Sequence, residues 1–143
     1  MFDLNDKAIL VVGGVGYLGL PLCDLIINSG ANLCIADIDL EKMEIVFQSL
    51  KKKYPRAKIL TTFIDMSDET SIITAVEKCN NYFGELHGLV NATFGTTIKK
   101  IEELTSKDFN EANSINLTGS FLLARLVAKK MNQGGSIVMF GSM

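Results

Sequence analysis

Short apolar runs alternate with stretches of helical periodicity along the whole chain. Short apolar runs bounded by turn residues are typical of buried strands, and apolar residues spaced three and four apart predict helices. The predicted strands are Lys7–Val12, Asn32–Ala36, Lys58–Ile64, Leu86–Asn91 and Ser136–Gly141. The predicted helices are Tyr17–Asn28, Leu40–Lys52, Ser67–Phe83 and Ser106–Met131. Strict alternation of near-continuous apolar strands with helices predicts a parallel sheet covered on both faces.

Side chains suited to capping precede three of these helices. Asp39 stands before the second helix, and Ser67, followed by Asp68, opens the third. Thr105-x-x-Asp108 has the spacing of a capping box at the start of the long fourth helix. The 143 residues contain no repeat, low-complexity segment or linker, so we expect a single domain over residues 1–143.

Composition and charge narrow the possible partners and compartments. The chain carries 14 basic and 16 acidic residues, a net charge of −2, so we expect neither nucleic acid nor an anionic membrane as a partner. No apolar run reaches the ~18 residues of a membrane span. The chain has three cysteines, an odd number, and each lies in a predicted helix or strand: Cys23, Cys34 and Cys79. This pattern favours buried, reduced thiols and therefore a cytoplasmic protein. The single histidine, His87, has no cysteine or histidine cluster around it, so we expect no metal site.

The first loop has the spacing of a phosphate-binding turn. Gly13, Gly16 and Gly19 form a G-x-x-G-x-x-G pattern between the first predicted strand and the first helix. Pyrophosphate binding requires free backbone N–H groups, a positive helix end and no obstructing side chain. Gly13 would permit the tight turn, Gly16 the approach of the phosphate, and Gly19 close packing of helix on strand. The alternative is that these glycines only form a strand-to-helix turn.

Polar side chains end the other strands at the same predicted edge of the sheet. A carboxylate at Asp37, after the second strand, can accept hydrogen bonds from both hydroxyls of an adenosine ribose. It would repel the 2′-phosphate of NADP, and no basic residue follows before Lys42, so we expect a preference for NAD. The alternative role, a helix cap, suits Asp39 better. Asp65 and Asn91 end the third and fourth strands, where ligands bind in open sheets of this class.

Asn116 lies in the long predicted helix, within the largely apolar stretch Ser114–Phe121. Its amide therefore needs a specific partner. A catalytic role and a buried amide that satisfies backbone groups are equally compatible with the composition of this stretch.

Together these segments resemble the short-chain dehydrogenase/reductase family over nearly the whole chain. The resemblance rests on KAILVVGGVGYLG at the first loop, IAD and IDMSD after the next two strands, LVNAT after the fourth, INLTGSF in the long helix and GGSIVMFGSM at the end. It implies a Rossmann-type doubly wound parallel α/β sheet of about five strands, in the order 3-2-1-4-5 and incomplete at the C-terminal edge. It also implies hydride transfer between NAD(H) and a small alcohol or carbonyl substrate.

Matching by position also implies roles for individual residues. Asn116 corresponds to the asparagine of the family's proton relay, and Ser142 to the serine that hydrogen-bonds the substrate oxygen. The remaining matches are to the cofactor: Gly13, Val15, Tyr17 and Leu18 to the pyrophosphate, Asp37 to the ribose, Asp65 and Met66 to the adenine, and Asn91 and Ala92 to the ribose and nicotinamide.

The chain departs from the family pattern in three places. Val12 replaces a usual threonine before the glycines, and Asn91-Ala92-Thr93-Phe94 replaces Asn-Asn-Ala-Gly, with Gly95 one position late. The family's Tyr-x-x-x-Lys, expected shortly after Ser142, does not occur at that place in these 143 residues. Tyr54 and Lys58 have the same spacing, but they precede the third predicted strand, far from the carboxyl edge near Ser142, so we treat this match as coincidence. Because the family's tyrosine donates the proton in hydride transfer, we expect the 143-residue chain alone to be inactive and to be part of a longer enzyme.

Other functions remain compatible with the sequence. A non-catalytic dinucleotide-binding module or pseudoenzyme would need neither Asn116 nor Ser142, and an assembly subunit would have its last strand completed by another chain. The glycine spacing alone also suggests a nucleotide-sugar epimerase or dehydratase of the family's extended branch. The resemblance implies a homo-oligomer formed through Ser106–Met131, and we expect Phe94–Leu104 to shape the substrate pocket.

Overall fold

The computed structural model describes residues 3–132 and 134–141. Its strands are β1 (Ala8–Val12), β2 (Asn32–Asp37), β3 (Ile59–Phe63), β4 (Gly88–Asn91) and β5 (Ser136–Met139). Its α-helices are α1 (Gly19–Asn28), α2 (Leu40–Lys53), α3 (Glu69–Phe83), α4 (Ser106–Asn113) and α5 (Ser120–Ala128). A 3₁₀ turn at Ile101–Glu103 precedes α4, and a π-helical segment at Ser114–Gly119 joins α4 to α5.

The five strands form one parallel sheet in the order β3-β2-β1-β4-β5, which confirms the predicted fold class and strand order. Val12 is paired with Ala36 on one side and with Asn91 on the other. Asp37 is paired with Phe63, and Asn91 with Met139. The carboxyl ends of all five strands therefore meet at one edge of the sheet.

Each face of the sheet has its own apolar core because alternate residues of a strand point to opposite faces. On β1, Leu10 and Val12 contribute to the core beneath α3 and α5, whereas Val11 contributes to the core beneath α1 and α2. Burial of one such side chain stabilises the fold by about 1.5–3 kcal/mol. The cores hold the strand ends in register and so fix the edge at which the site lies.

Two helix starts follow the sequence prediction and one is shifted. Asp39 accepts the N–H of Lys42 at 2.9 Å, and Thr105 and Asp108 form the predicted capping box. The prediction that Ser67 opens the third helix is wrong by one residue: Asp68 is the cap, accepting the N–H of Thr70 at 2.9 Å. The hydroxyl of Ser67 instead donates to Asp65 Oδ1 at 2.7 Å.

The prediction of one regular helix over Ser106–Met131 is also wrong. The π-helical segment interrupts it, and α5 ends at Ala128. At Gly119 the helix passes so close to the main chain of Met66 that a Cβ would collide with the Met66 carbonyl oxygen. Ser120 Oγ also lies 3.4 Å from the carbonyl oxygen of Ile115, five residues earlier. π-Helical segments of this kind occur frequently at functional sites.

β5 forms one edge of the sheet in the part of the chain that the structure describes. All four of its residues are exposed, including Ile137, Val138 and Met139. In the described part of the chain, no helix has both the length and the apolarity needed to cross a membrane.

Candidate functional site

The glycine turn after β1 has the geometry of a phosphate-binding loop. Gly13 adopts φ 75°, and a Cβ there would lie 2.9 Å from the Ala92 carbonyl after β4. A Cβ on Gly19 would collide with the carbonyl oxygen of Gly13, so α1 begins directly against the turn. The N–H groups of Tyr17 and Leu18 have no acceptor among the described residues. These two donors lie at the positive end of α1, the arrangement that anionic groups favour.

Asp37 links the end of β2 to this turn. Its Oδ2 accepts the N–H of Val15 at 3.1 Å, and its Oδ1 accepts the N–H of Asp39 at 3.2 Å. An ionised carboxylate has about four lone-pair positions, so each oxygen retains capacity for one further donor. Asp37 can therefore orient the glycine turn and bind two hydroxyl groups at the same time.

A cleft of about 250 Å³ lies between the glycine turn and the ends of β2 and β3, and we call it the smaller cleft. Its floor is largely apolar, and Asp65 is fixed at its rim because Oδ1 accepts the N–H of Ser67 at 2.8 Å. A flat, partly apolar group fits this setting, with Asp37 close by for its polar substituents. The lining residues are Gly13, Gly16, Asp37, Ile38, Ile64, Asp65, Met66, Ala92, Thr93, Phe94 and Ile115.

The Asn91 side chain is buried at the end of β4 and is hydrogen-bonded to two neighbouring segments. It is 3% exposed, and its Nδ2 donates to Ser120 Oγ at 2.9 Å. Its Oδ1 accepts the N–H of Thr93 at 3.1 Å and the hydroxyl of Thr93 at 2.6 Å. The side chain therefore connects the sheet, α5 and the loop after β4, and its polar atoms all have partners within the protein.

Asn116 fixes the next part of that loop from the π-helical segment. Its Oδ1 accepts the N–H of Gly95 at 2.8 Å, and its Nδ2 donates to the Gly95 carbonyl at 2.7 Å. The amide therefore has a specific backbone partner, but Asn116 is exposed and so is not the buried amide named as one alternative in the sequence analysis; its catalytic role stays a prediction. A water relay through that amide would require one of these two bonds to open.

A third tether holds the far end of the loop. Lys99 Nζ lies 2.8 Å from Asp108 Oδ1, and Asp108 Oδ2 accepts the N–H and the hydroxyl of Thr105. The Lys99 ammonium and the Thr105 donors hold the pKa of the Asp108 carboxyl well below its usual range. The loop from β4 to α4 is thus attached at Thr93, Gly95 and Lys99.

A cleft of about 720 Å³, which we call the larger cleft, lies between this loop, the π-helical segment and the end of β5. It shares Ala92, Thr93 and Phe94 with the smaller cleft, so the two form one groove along the carboxyl edge of the sheet. The lining residues are Leu18, Ala92, Thr93, Phe94, Gly95, Thr96, Asn116, Ser120, Phe140 and Gly141.

The structure brings most of the predicted site residues to this groove. Gly13, Gly16, Asp37, Asp65 and Met66 line the smaller cleft, Leu18 and Asn116 the larger one, and Ala92 both. Four others line neither cleft: Val15, Tyr17, Gly19 and Asn91. Ser142 lies outside the described residues.

Sequence reasoning missed several residues that shape the groove. Thr93 and Ser120 hold Asn91, and Phe140 forms a wall of the larger cleft while its N–H donates to the Asn91 carbonyl at 3.2 Å. All three lie within the motifs LVNAT, INLTGSF and GGSIVMFGSM, which could have directed attention to them, but no role was predicted for them from the sequence. Of the stretch Phe94–Leu104, which we expected to shape the substrate pocket, Phe94, Gly95 and Thr96 line the larger cleft, whereas residues 97–104 line neither cleft.

The family model described as short chain dehydrogenase matches residues 7–143. The chain therefore belongs to the short-chain dehydrogenase/reductase family, as the sequence motifs suggested. The fold and the groove at its carboxyl edge agree with that membership.

Individual relatives are similar over half of their own length. Levodione reductase of Leifsonia aquatica is 32% identical over 133 residues, which cover 92% of this chain and 50% of that protein. Its crystal structure superposes with a TM-score of 0.90 at 30% identity, covering 99% of this chain and 55% of that one. D-threitol dehydrogenase of Mycolicibacterium smegmatis is 29% identical over 143 residues, covering 99% of this chain and 54% of that protein.

A structure of NAD+-bound xylitol dehydrogenase is also similar, with a TM-score of 0.89 and 26% identity. It covers 98% of this chain and 54% of that protein. The chain thus spans about half the length of each of these three relatives.

Proposed function

We propose that this chain is the cofactor-binding part of a nicotinamide-dependent oxidoreductase that interconverts a small alcohol and its carbonyl compound. The observation that carries the proposal is the smaller cleft, where Asp37 and the glycine turn meet at the carboxyl edge of a parallel sheet. That edge is where open α/β sheets bind dinucleotides. The levodione, threitol and xylitol relatives, which are oxidoreductases by name, support the same assignment.

The groove has the right parts for a dinucleotide. The N–H groups of Tyr17 and Leu18 would bind the pyrophosphate at the start of α1, with Gly13, Val15, Gly16 and Gly19 shaping the turn. Asp37 would accept the adenosine ribose hydroxyls, and Asp65 and Met66 would border the adenine. The negative charge of Asp37 opposes a 2′-phosphate, so we propose NAD in preference to NADP. Asn91 would position Ala92 beside the ribose and nicotinamide.

The bound nicotinamide would supply or accept a hydride at the larger cleft. Within this chain, Asn116 would position the Gly95 backbone that lines that cleft. We propose that Asn116 and Ser142 contribute to proton transfer, together with the tyrosine and lysine that the family resemblance assigns to positions after Ser142.

Three further features complete the proposal: a homo-oligomer, a cytoplasmic location and a single domain. The stretch from α4 to α5 carries Phe109, Leu117 and Phe121, each more than half exposed, which supports a homo-oligomer. The three cysteines are free and buried, and burial raises the pKa of the Cys23 thiol to about 12. Such unreactive, reduced thiols are compatible with the cytoplasm. The single sheet supports one domain over residues 1–143.

The proposal is tested by titrating the full-length protein with NADH and with NADPH, using the fluorescence of the reduced nicotinamide. We expect NADH to bind more tightly, and Asp37→Ser to weaken NADH binding by about tenfold while removing the preference over NADPH, because two charge-assisted hydrogen bonds are lost. Asp39→Ser is the matched control, since serine still caps α2 and Asp39 lines neither cleft. No binding of either dinucleotide to the full-length protein would overturn the proposal.

A further inference from the structure

The larger cleft contains apolar surface from three separate segments and no charge. Leu18, from the start of α1, Phe94, from the loop after β4, and Phe140, after β5, all contribute to its walls. Each of these side chains is more than two fifths exposed. Among the described residues that line the cleft, none is charged.

The polar side chains in this lining are already hydrogen-bonded within the protein. Both polar atoms of Asn116 are paired with Gly95, and the Thr93 hydroxyl donates to Asn91. Ser120 Oγ accepts from Asn91 and lies 3.4 Å from the Ile115 carbonyl. In the part of the chain that the structure describes, Thr96 supplies the one lining hydroxyl without such a partner. The paired groups keep only a remaining lone pair or one amide N–H for a ligand, so a polyhydroxylated ligand would set some of its hydroxyls against Leu18, Phe94 and Phe140, where they find no partner.

Phe94 lies at the junction of the two clefts, and hydrogen bonds to the residues on either side of it fix its backbone. The residue before it is bound to Asn91 through Thr93 N–H, and the residue after it is bound to Asn116 through both backbone groups of Gly95. The side chain itself is 77% exposed, although it belongs to an anchored segment. An aromatic ring presented in this way is a preformed apolar contact for a ligand, because little conformational freedom is lost when the ligand binds.

We infer that the substrate of this site is an uncharged carbonyl compound, or its alcohol, with an apolar ring or chain beside the reacting carbon, and that Phe94 contacts that apolar group. This inference rests on the proposed function. In the reduction, the carbonyl carbon gains a hydride from NADH and the oxygen gains a proton, so the ketone becomes an alcohol while NADH becomes NAD+. Sugars and polyols are disfavoured because they bring hydroxyl groups to an apolar wall.

The test compares two pairs of ketones with the full-length protein and NADH: cyclohexanone and acetophenone against dihydroxyacetone and erythrulose. We expect kcat/KM to be higher for the apolar pair by at least about tenfold, the scale on which apolar pockets discriminate. Phe94→Ala should lower kcat/KM for the apolar pair by about tenfold more than for the hydroxylated pair. Phe109→Ala is the matched control, because Phe109 is also an exposed phenylalanine but lines neither cleft.

A binding measurement separates this inference from the proposed function. The NADH complex is titrated with cyclohexanol or glycerol, which cannot react with NADH, and binding is followed by NADH fluorescence. We expect cyclohexanol to bind more tightly, and Phe94→Ala to weaken cyclohexanol binding by a larger factor than glycerol binding. NADH binding with tighter glycerol than cyclohexanol binding, or with equal kcat/KM for both ketone pairs, would overturn the substrate inference alone. Failure of NADH to bind would overturn both.

Discussion

The two clefts of the groove differ in what holds them in shape. The smaller cleft is formed by main chain: a turn in which Cβ atoms on Gly13 and Gly19 would strike backbone, and strand ends fixed by the sheet. The larger cleft is formed by a long loop that side chains hold in place at Thr93, Gly95 and Lys99. An obstruction in the main-chain turn should therefore disturb the whole smaller cleft. Loss of one side-chain contact to the loop should disorder only the part of the larger cleft that this contact holds.

The largest effect is expected from Gly19→Ala, which places a methyl group where the Gly13 carbonyl oxygen lies. Helix α1 must then move away from the turn, so the N–H groups of Tyr17 and Leu18 are displaced. We expect the free energy of unfolding to fall by about 1–3 kcal/mol, as for other overpacked sites. NADH affinity should fall by about a hundredfold, the scale associated with misplacement by an ångström. Urea denaturation and NADH fluorescence measure the two quantities.

Gly84→Ala is the control for this prediction. Gly84 has φ 84°, so alanine is strained there by about 1–2 kcal/mol, but no atom lies within 4 Å of the added Cβ. Stability should fall and NADH affinity should not. Equal losses of affinity in the two variants would mean that stability, and not the position of the turn, controls binding.

A smaller effect is expected from Asn116→Ala, which removes one tether of the larger cleft. Two hydrogen bonds to Gly95 are lost, each with a net contribution of about 0.5–1.5 kcal/mol. We expect the free energy of unfolding to fall by about 1–2 kcal/mol and the Gly95 amide to exchange faster with solvent deuterium, with NADH affinity reduced less than in Gly19→Ala. Asn113→Ala is the control, because the Asn113 side chain makes no hydrogen bond in the described part of the chain. Unchanged exchange at Gly95 would show that the tether does not order the loop.

The same contrast explains what the sequence could predict. The alternation of strands and helices, the glycine turn and the caps at Asp39 and Thr105 depend on residues close together in the chain or on a single repeating pattern. The strand order is not local, and its prediction came from the family resemblance. The π-helical segment depends on contact between Gly119 and Met66, which are distant in sequence. Local periodicity cannot reveal such a contact, so the regular helix predicted across it was wrong.

In the candidate site, too, the sequence predicts the residues that belong to a local pattern and not the contacts between distant segments. Asp37 and the glycines stand out by type and spacing, and the structure brings them together at the smaller cleft. The hydrogen-bond partners of Asn116 and Asn91, by contrast, depend on the position of the loop after β4. That loop has no periodic pattern, so only a structure shows which of its backbone groups need partners.

The smallest effect is expected at the third tether, and it depends on pH. The pKa of Asp108 is lowered in the folded protein, first by Lys99 and then by Thr105, so this carboxylate favours the folded state when it is ionised. Its contribution is therefore present above about pH 4, the ordinary range of an aspartate, and is lost as the pH falls through the lowered pKa. We expect Asp108→Asn to lower the thermal midpoint at neutral pH and to converge with the wild type as the pH approaches about 2.

Glu111→Gln separates this tether from an ordinary surface ion pair. Glu111 lies 3.7 Å from Lys107 one helical turn away, and both side chains are largely exposed. Such pairs contribute little, so the thermal midpoint of this variant should follow the wild type at every pH. The Asp108 carboxylate, by contrast, is only 13% exposed and holds three donors, so its loss should be measurable. If the difference in thermal midpoint between Asp108→Asn and the wild type does not change with pH, the charge of Asp108 does not stabilise this end of the loop.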